Sequence, residues 1–261
     1  PFPGGAVNTW NSLVWGGDVF VGVRGSGGIA ATIQPYKIAA TPVSLSHIVS
    51  VECRNSSILA DTDIDVTALT QQVRGYRVGS IGAIRSALEP LQSVWPFDIV
   101  QHGYKVQFKP RNSSSVVDIP MGDLDARNAS SERGVSLTTS READSQLPNN
   151  VTLKYLDFNR EYDVGEQYAE RNDGNSVNLR VLDIPVVLTG SEAANLAELL
   201  LYLYWLERYD ISFSLPPSYN QLEPADVVTL QSPDGNTQLR LTAVDNTTDG
   251  IVMCKAKYNS A

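Results

Sequence analysis

The chain has 261 residues, 42% apolar and 19% charged, a globular composition long enough for one large or two ordinary cores. Its formal charge of −9 is uneven: residues 1–117 hold seven acids and nine bases, residues 118–261 hold 22 acids and 11 bases. An acidic half repels polyphosphate, which disfavours specific nucleic-acid binding and leaves either a solvated face or a surface that stays near DNA without gripping it.

Cys53 and Cys254 are too few for a disulfide framework and too distant for a structural zinc site, so both read as small buried side chains. The longest apolar run, Leu199–Leu206, falls far short of the roughly 20 residues that span a bilayer. Five Asn-x-Ser/Thr sequons, at Asn55, Asn112, Asn128, Asn150 and Asn246, read as polar loops. No signal peptide is visible, and an opening at Pro1 without Met suggests a processed or partial chain.

Residues 1–40 are Gly-rich, with extended pieces at Asp18–Val23 and Ile33–Ala40, and are expected to join the β-rich part. Thr41-Pro42 opens a helix with Leu45, Ile48 and Val49 on one face. Asp61–Asp65 is a polar connector, and Val66–Leu69 suits one helical turn. Arg74–Val78 reads as a short strand. Ser80 suits an N-cap for a helix bearing Ile81, Ile84, Leu88, Leu91 and Val94, which Pro90 should kink or split. Phe97 and Ile99, then Tyr104, Val106 and Phe108, alternate around a turn at Gln101–Gly103, giving a hairpin. Residues 41–111 therefore form a small α+β module of two helices and a hairpin.

Arg111–Ser115 breaks the pattern, and residues 118–150 offer few core candidates. Val151–Leu156 reads as a strand, Asp157–Arg171 as a charged run, and Asn178–Leu188 as an extended edge piece limited by Pro185. Thr189-Gly-Ser-Glu192 is a capping box for a helix near 191–209. That helix is apolar all round in its second half, which places it either inside the domain or at a subunit boundary. Leu199, Leu203 and Leu206 are the candidate interface residues. Asp210–Leu215 alternates as a half-buried strand, and residues 222–258 read as a three-stranded meander with turns at Pro233–Gly235 and Asn246–Gly250. Residues 112–261 thus form a β-rich domain, and the fold class is α+β.

Little in the chain carries chemistry. Gly25-Ser-Gly-Gly-Ile-Ala30 matches a dinucleotide-binding pattern formally, but Pro35 interrupts the helix such a site requires. His47 and His102 are the only histidines and stand far apart in sequence, so no metal is expected. Asp61, Asp63 and Asp65 alternate like a calcium loop, yet Val66 and Gln72 stand where that loop needs Gly and Glu. No nucleophile elbow occurs, and no motif marks a catalytic carboxylate pair. No cofactor and no enzymatic activity are expected. Trp10, Trp15 and Trp95 are candidate sugar platforms, against ordinary packing.

Three stretches carry a family resemblance. The first is Asp63-Ile-Asp-Val-Thr-Ala-Leu-Thr-Gln-Gln-Val-Arg-Gly-Tyr76, with Ala83–Leu91, Phe97-Asp98 and Val106–Arg111. The second is Leu147-Pro-Asn-Asn-Val-Thr-Leu-Lys-Tyr-Leu-Asp157, with Asp163 and Arg171. The third is Leu182-Asp-Ile-Pro-Val-Val187, Ala193–Glu198, Phe213-Ser-Leu-Pro-Pro217 and Leu222-Glu-Pro-Ala-Asp-Val-Val228. In this order they resemble the tail hub family of phages and gene transfer agents, related to tail-tip attachment proteins. That family has Gly where this chain has Ala225, which weakens the expectation of a left-handed residue there.

The resemblance implies a homotrimeric baseplate or tail-tip hub that closes the tail tube and takes part in host attachment and DNA delivery. It implies β-barrel or sandwich-like domains of tail-tube type, with 41–111 as an insertion. Its partners would be the tail tube and other tail-tip proteins, with DNA sliding through an acid-walled lumen without specific binding. A receptor- or carbohydrate-binding module at the tail tip is the alternative.

Overall fold

A computed structural model describes residues 10–16, 19–26, 29–37, 42–55, 58–77, 83–127, 136–172, 176–233 and 235–259, the first three segments as backbone. Strands β1 (Trp10–Gly16), β2 (Val19–Ser26) and β3 (Ile29–Lys37) form an antiparallel meander. After them, β4 (Val43–Ser44) leads into α1 (Leu45–Arg54), then β5 (Ile64–Asp65) and β6 (Gln72–Val73), which pairs back with β4. Helix α2 (Ile84–Val94) precedes the hairpin of β7 (Phe97–His102) and β8 (Lys105–Pro110), whose tight turn puts Gly103 at φ +58°.

The remaining strands are β9 (Val117–Pro120), β10 (Thr138–Arg141), β11 (Pro148–Asp157), β12 (Val164–Glu170) and β13 (Asn178–Leu188). Helix α3 (Gly190–Leu206) follows, then β14 (Tyr209–Leu215), β15 (Val227–Ser232), β16 (Gly235–Asn246) and β17 (Val252–Tyr258). The fold is α+β.

Two separate apolar cores organise these elements. In the first, α3 covers one face of the β12-β11-β13 sheet, while α1, α2 and the β7–β8 hairpin pack beside it around Leu91, Phe97 and Phe108. The rings of Phe97 and Phe108 meet edge to face at 5.7 Å. Strand β13 runs parallel to β11, with its register shifted around Pro185, where residues 75–77 hydrogen-bond the strand's outer edge. The second core lines the sheet ordered β10-β14-β17-β16-β15-β9, around Ile119, Phe213, Leu215, Leu239 and Leu241. Hydrophobic packing in the first core joins residues on both sides of position 111.

Several sequence expectations change. Pro90 lies inside one continuous helix, since it forgoes only the bond to the Ser86 carbonyl. Val66–Leu69 closes a single hydrogen-bonded turn and no helix. Of the expected strand Arg74–Val78, Val78 lies outside the described residues and the rest gives a bridge at Tyr76, with the paired strand one step earlier at β6. The charged run 157–171 contains β12. Ser80 lies outside the described residues, and Ala83 occupies the N-cap of α2.

Ala225 is left-handed after all, at φ +68°. Its N–H donates to the Leu241 carbonyl at 2.8 Å, and the Leu241 N–H returns a bond to Asp226, so strand pairing holds the turn despite the methyl group.

Candidate functional site

The capping box forms as the spacing requires. The Thr189 side chain accepts from the Glu192 N–H, and the Glu192 carboxylate accepts from the Thr189 N–H at 2.9 Å. Burial alone would raise the Glu192 carboxyl's pKa. Hydrogen bonds from Arg74 and Thr189, and the Arg74 charge, outweigh it and hold the pKa below the ordinary glutamate range.

From that start α3 sends Ala193, Leu196, Ala197, Leu200, Leu201 and Trp205 into the core. Trp205 also donates its Nε1–H to the Pro148 carbonyl at 2.9 Å. The opposite side is uncovered: Leu199 is 40% exposed and Tyr202 54%. Leu203 and Leu206 are half-buried. Leu199, Tyr202 and Leu203 line a groove of about 370 Å³ whose far wall is Leu69, Val94, Trp95 and Phe97. Of the three sequence candidates, Leu199 and Leu203 thus reach one groove, and Leu206 is not among its lining residues. Tyr202 was missed because an all-round apolar run carries no phase that marks one side.

Trp95 is half-buried in this groove. The side chains of Trp10 and Trp15 lie outside the described residues. Among the described residues Trp205, not singled out in the sequence, is the tryptophan that cations cover, with Arg171 4.3 Å and Arg208 5.4 Å from its ring centre.

The other candidates do not assemble chemistry. Ile29–Lys37 is a strand where the glycine pattern would need a helix. Asp61 pairs with Arg54 at 3.2 Å, Asp63 accepts the Ala60 N–H, and Asp65 takes Thr67, so the three carboxylates serve separate partners. His47 is exposed on α1, whereas His102 Nδ1 lies 2.7 Å from Glu223. No cluster of potential metal ligands occurs among the described residues. Both cysteines are buried and unpaired, and burial pushes the Cys254 thiol up to about 11. No helix among the described residues is long and apolar enough to cross a membrane.

A network of charged side chains sits where the two cores meet. Arg240, its side chain 6% exposed, donates to Asp98 at 2.7 Å and to Glu207 at 2.9 Å. Arg111 reaches the same two carboxylates at 3.0 and 3.3 Å. Lys257 donates to the Glu207 carbonyl at 2.9 Å. Asp98 and Glu207 stand 142 and 33 residues from Arg240 in sequence, so no local spacing announces the network.

A family profile described as "Putative phage tail protein" matches residues 83–244. Among solved structures, a chain in the virion of a native gene transfer agent particle superposes with a TM-score of 0.74 at 25% identity, covering 84% of this chain and 48% of that chain. The tail protein from Neisseria meningitidis MC58 gives 0.56 at 7% identity, over 85% and 68%. The 43 kDa tail protein of prophage MuSo2 from Shewanella oneidensis gives 0.52 at 10%, over 96% and 82%. The present chain therefore spans about half the length of the gene transfer agent chain it matches. A comparison with curated proteins finds no match.

Proposed function

We propose, for a chain that belongs to the phage tail protein family, that this structural component of a phage-like virion tail works as a homotrimeric hub at the tube's end. The observation that carries this reading is the bare side of α3. Leu199 and Tyr202 stand in solvent on a helix whose other side is core. An apolar groove beside an exposed Leu–Tyr pair suits burial against another chain. A stable interface buries on the order of 1,200 to 2,000 Å², so α3 would supply its centre and neighbouring surfaces the rest.

In this reading the tube-type unit lies within 112–261 and the module 41–111 is an insertion. That insertion cannot be cut away cleanly, because Leu91, Phe97 and Phe108 share a core with α3. The partners are the tail tube and neighbouring tail-tip proteins. The surplus of acids in 118–261 faces DNA passing through the lumen and keeps it from sticking. The role is assembly and DNA delivery with host attachment, without catalysis.

Native mass spectrometry of the purified chain tests it. A trimer is expected, and Leu199→Asp with Tyr202→Asp should give monomers that keep the parent's circular dichroism spectrum. A monomeric parent chain showing saturable binding on a glycan array would favour the receptor-binding role instead.

A further inference from the structure

We propose that the two cores form a hinged pair, with the β7–β8 hairpin as a clasp that holds them closed. The inference concerns a single chain and does not depend on the hub assignment. Three described connections pass between the cores: 111–116 from β8 to β9, 142–147 from β10 to β11, and 207–208 from α3 to β14. All three meet at one place. Arg111 touches Glu207 at 3.3 Å, Arg208 touches Asp144 at 3.2 Å, and the Glu142 N–H donates to the Arg208 carbonyl at 2.9 Å. Connections that converge define an axis, whereas scattered ones would lock the two bodies.

Away from that axis, among the described residues, no helix or strand of one core packs extensively along an element of the other. Ionic contacts hold much of the seam, beside a small apolar patch of buried Val100 and Ala225. The hairpin leaves the axis at Asp98 and Arg111 and runs four residues further to His102, a lever of about 13 Å at strand rise. Along it, Lys109 meets Asp226 at 2.9 Å and Glu223 at 3.8 Å, and His102 meets Glu223 at 2.7 Å. Both acids belong to the turn that carries left-handed Ala225. Beneath the hairpin lies a cavity of about 410 Å³ lined by Ile99, Val100, Pro224 and Ala225 together with Arg111 and Arg240. Arg240 bonds Glu207 at the axis as well as Asp98 on the hairpin, so rotation could release the second while keeping the first.

Salt acts unequally along the seam: the outer clasp pairs of His102 and Lys109 with Glu223, the more exposed ones, weaken as salt rises, whereas the buried Arg240 pairs are screened less. The seam therefore has two settings, closed by the clasp and open about the Arg111–Glu207–Arg208–Asp144 axis.

The experiment measures the distance between spin labels at Tyr104→Cys on the hairpin tip and Asp245→Cys on β16, both exposed positions. At low salt one narrow distance is expected. Replacing the clasp acids, Glu223→Gln with Asp226→Asn, should add a longer population and raise its share about tenfold. Raising salt to about 1 M, where screening acts beyond about 3 Å, should do the same in the unmodified seam. A single unchanged distance in both arms would overturn the hinge. If the double variant loses its fold, the salt arm alone decides, and an unchanged distance there overturns it equally.

Discussion

The body around α3 and the six-stranded body bury their strands by different rules. In β14 the alternation of the sequence is the alternation of burial: Ile211, Phe213 and Leu215 point inward while Asp210, Ser212 and Ser214 do not. In β12 the pattern is inverted. Val164 and Tyr168 are 62% and 66% exposed, while Gly165 and Ala169 are buried. The Tyr155 ring of the neighbouring strand β11 takes up the space over Gly165, so β12 contributes a small residue there. Gly165 shows how tight the fit is, since a Cβ there would come within 2.7 Å of the Tyr155 ring. The difference teaches that hydrophobic periodicity reports a face only where the neighbouring side chains leave room for large ones.

The largest expected effect breaks one body and spares the other. Phe97→Ala removes a fully buried ring and should cost about 3 to 5 kcal/mol. Native-state hydrogen exchange should accelerate in α2 and β11 before β17. Equal acceleration in both bodies would mean that the cores unfold as one.

Next in size is Arg240→Met, which takes the more buried of two arginines from the Asp98 and Glu207 carboxylates at the seam. Loss of a buried pair costs about 3 to 5 kcal/mol, and Arg111, still bonded to both acids, should hold the loss near the lower end. Denaturant midpoints report it, and a loss below about 1 kcal/mol would show that the seam contributes little.

A smaller effect belongs to α3 alone. Thr189→Ala should cost about 1 kcal/mol by uncapping the helix. The same box has a pH signature. Because the Glu192 pKa is depressed in the folded state, its contribution is present above the ordinary glutamate range and is lost as pH falls through the lowered value. Glu192→Gln should flatten the acid limb of the stability curve, and an unaltered limb would remove the capping role.

The smallest change has the opposite sign. Ala225→Gly should stabilise the six-stranded body by about 0.5 to 1 kcal/mol, since glycine adopts positive φ without the Cβ penalty. A destabilised variant would mean that the buried methyl contributes more than the backbone loses.

Much of this architecture was legible where partners are local. The capping box, the β7–β8 hairpin and the 222–258 meander each carry their signals within a few residues. What stayed hidden depends on distant chain. Strand β9 buries only Ile119 and exists because it runs parallel to β15, over a hundred residues later. Strand β10 is exposed throughout and is fixed by pairing with β14. At the candidate site, Leu199 could be named from composition, but Tyr202 needed the layer beneath α3 to reveal which side remained bare.

Photocrosslinking from residue 202 in assembled particles tests that bare side most directly. Replacing Tyr202 with a photoreactive residue should yield, on irradiation, bands at two and three times the mass of this chain. Crosslinks confined to the chain itself, or none at all, would contradict the assignment of α3 as the surface through which copies meet.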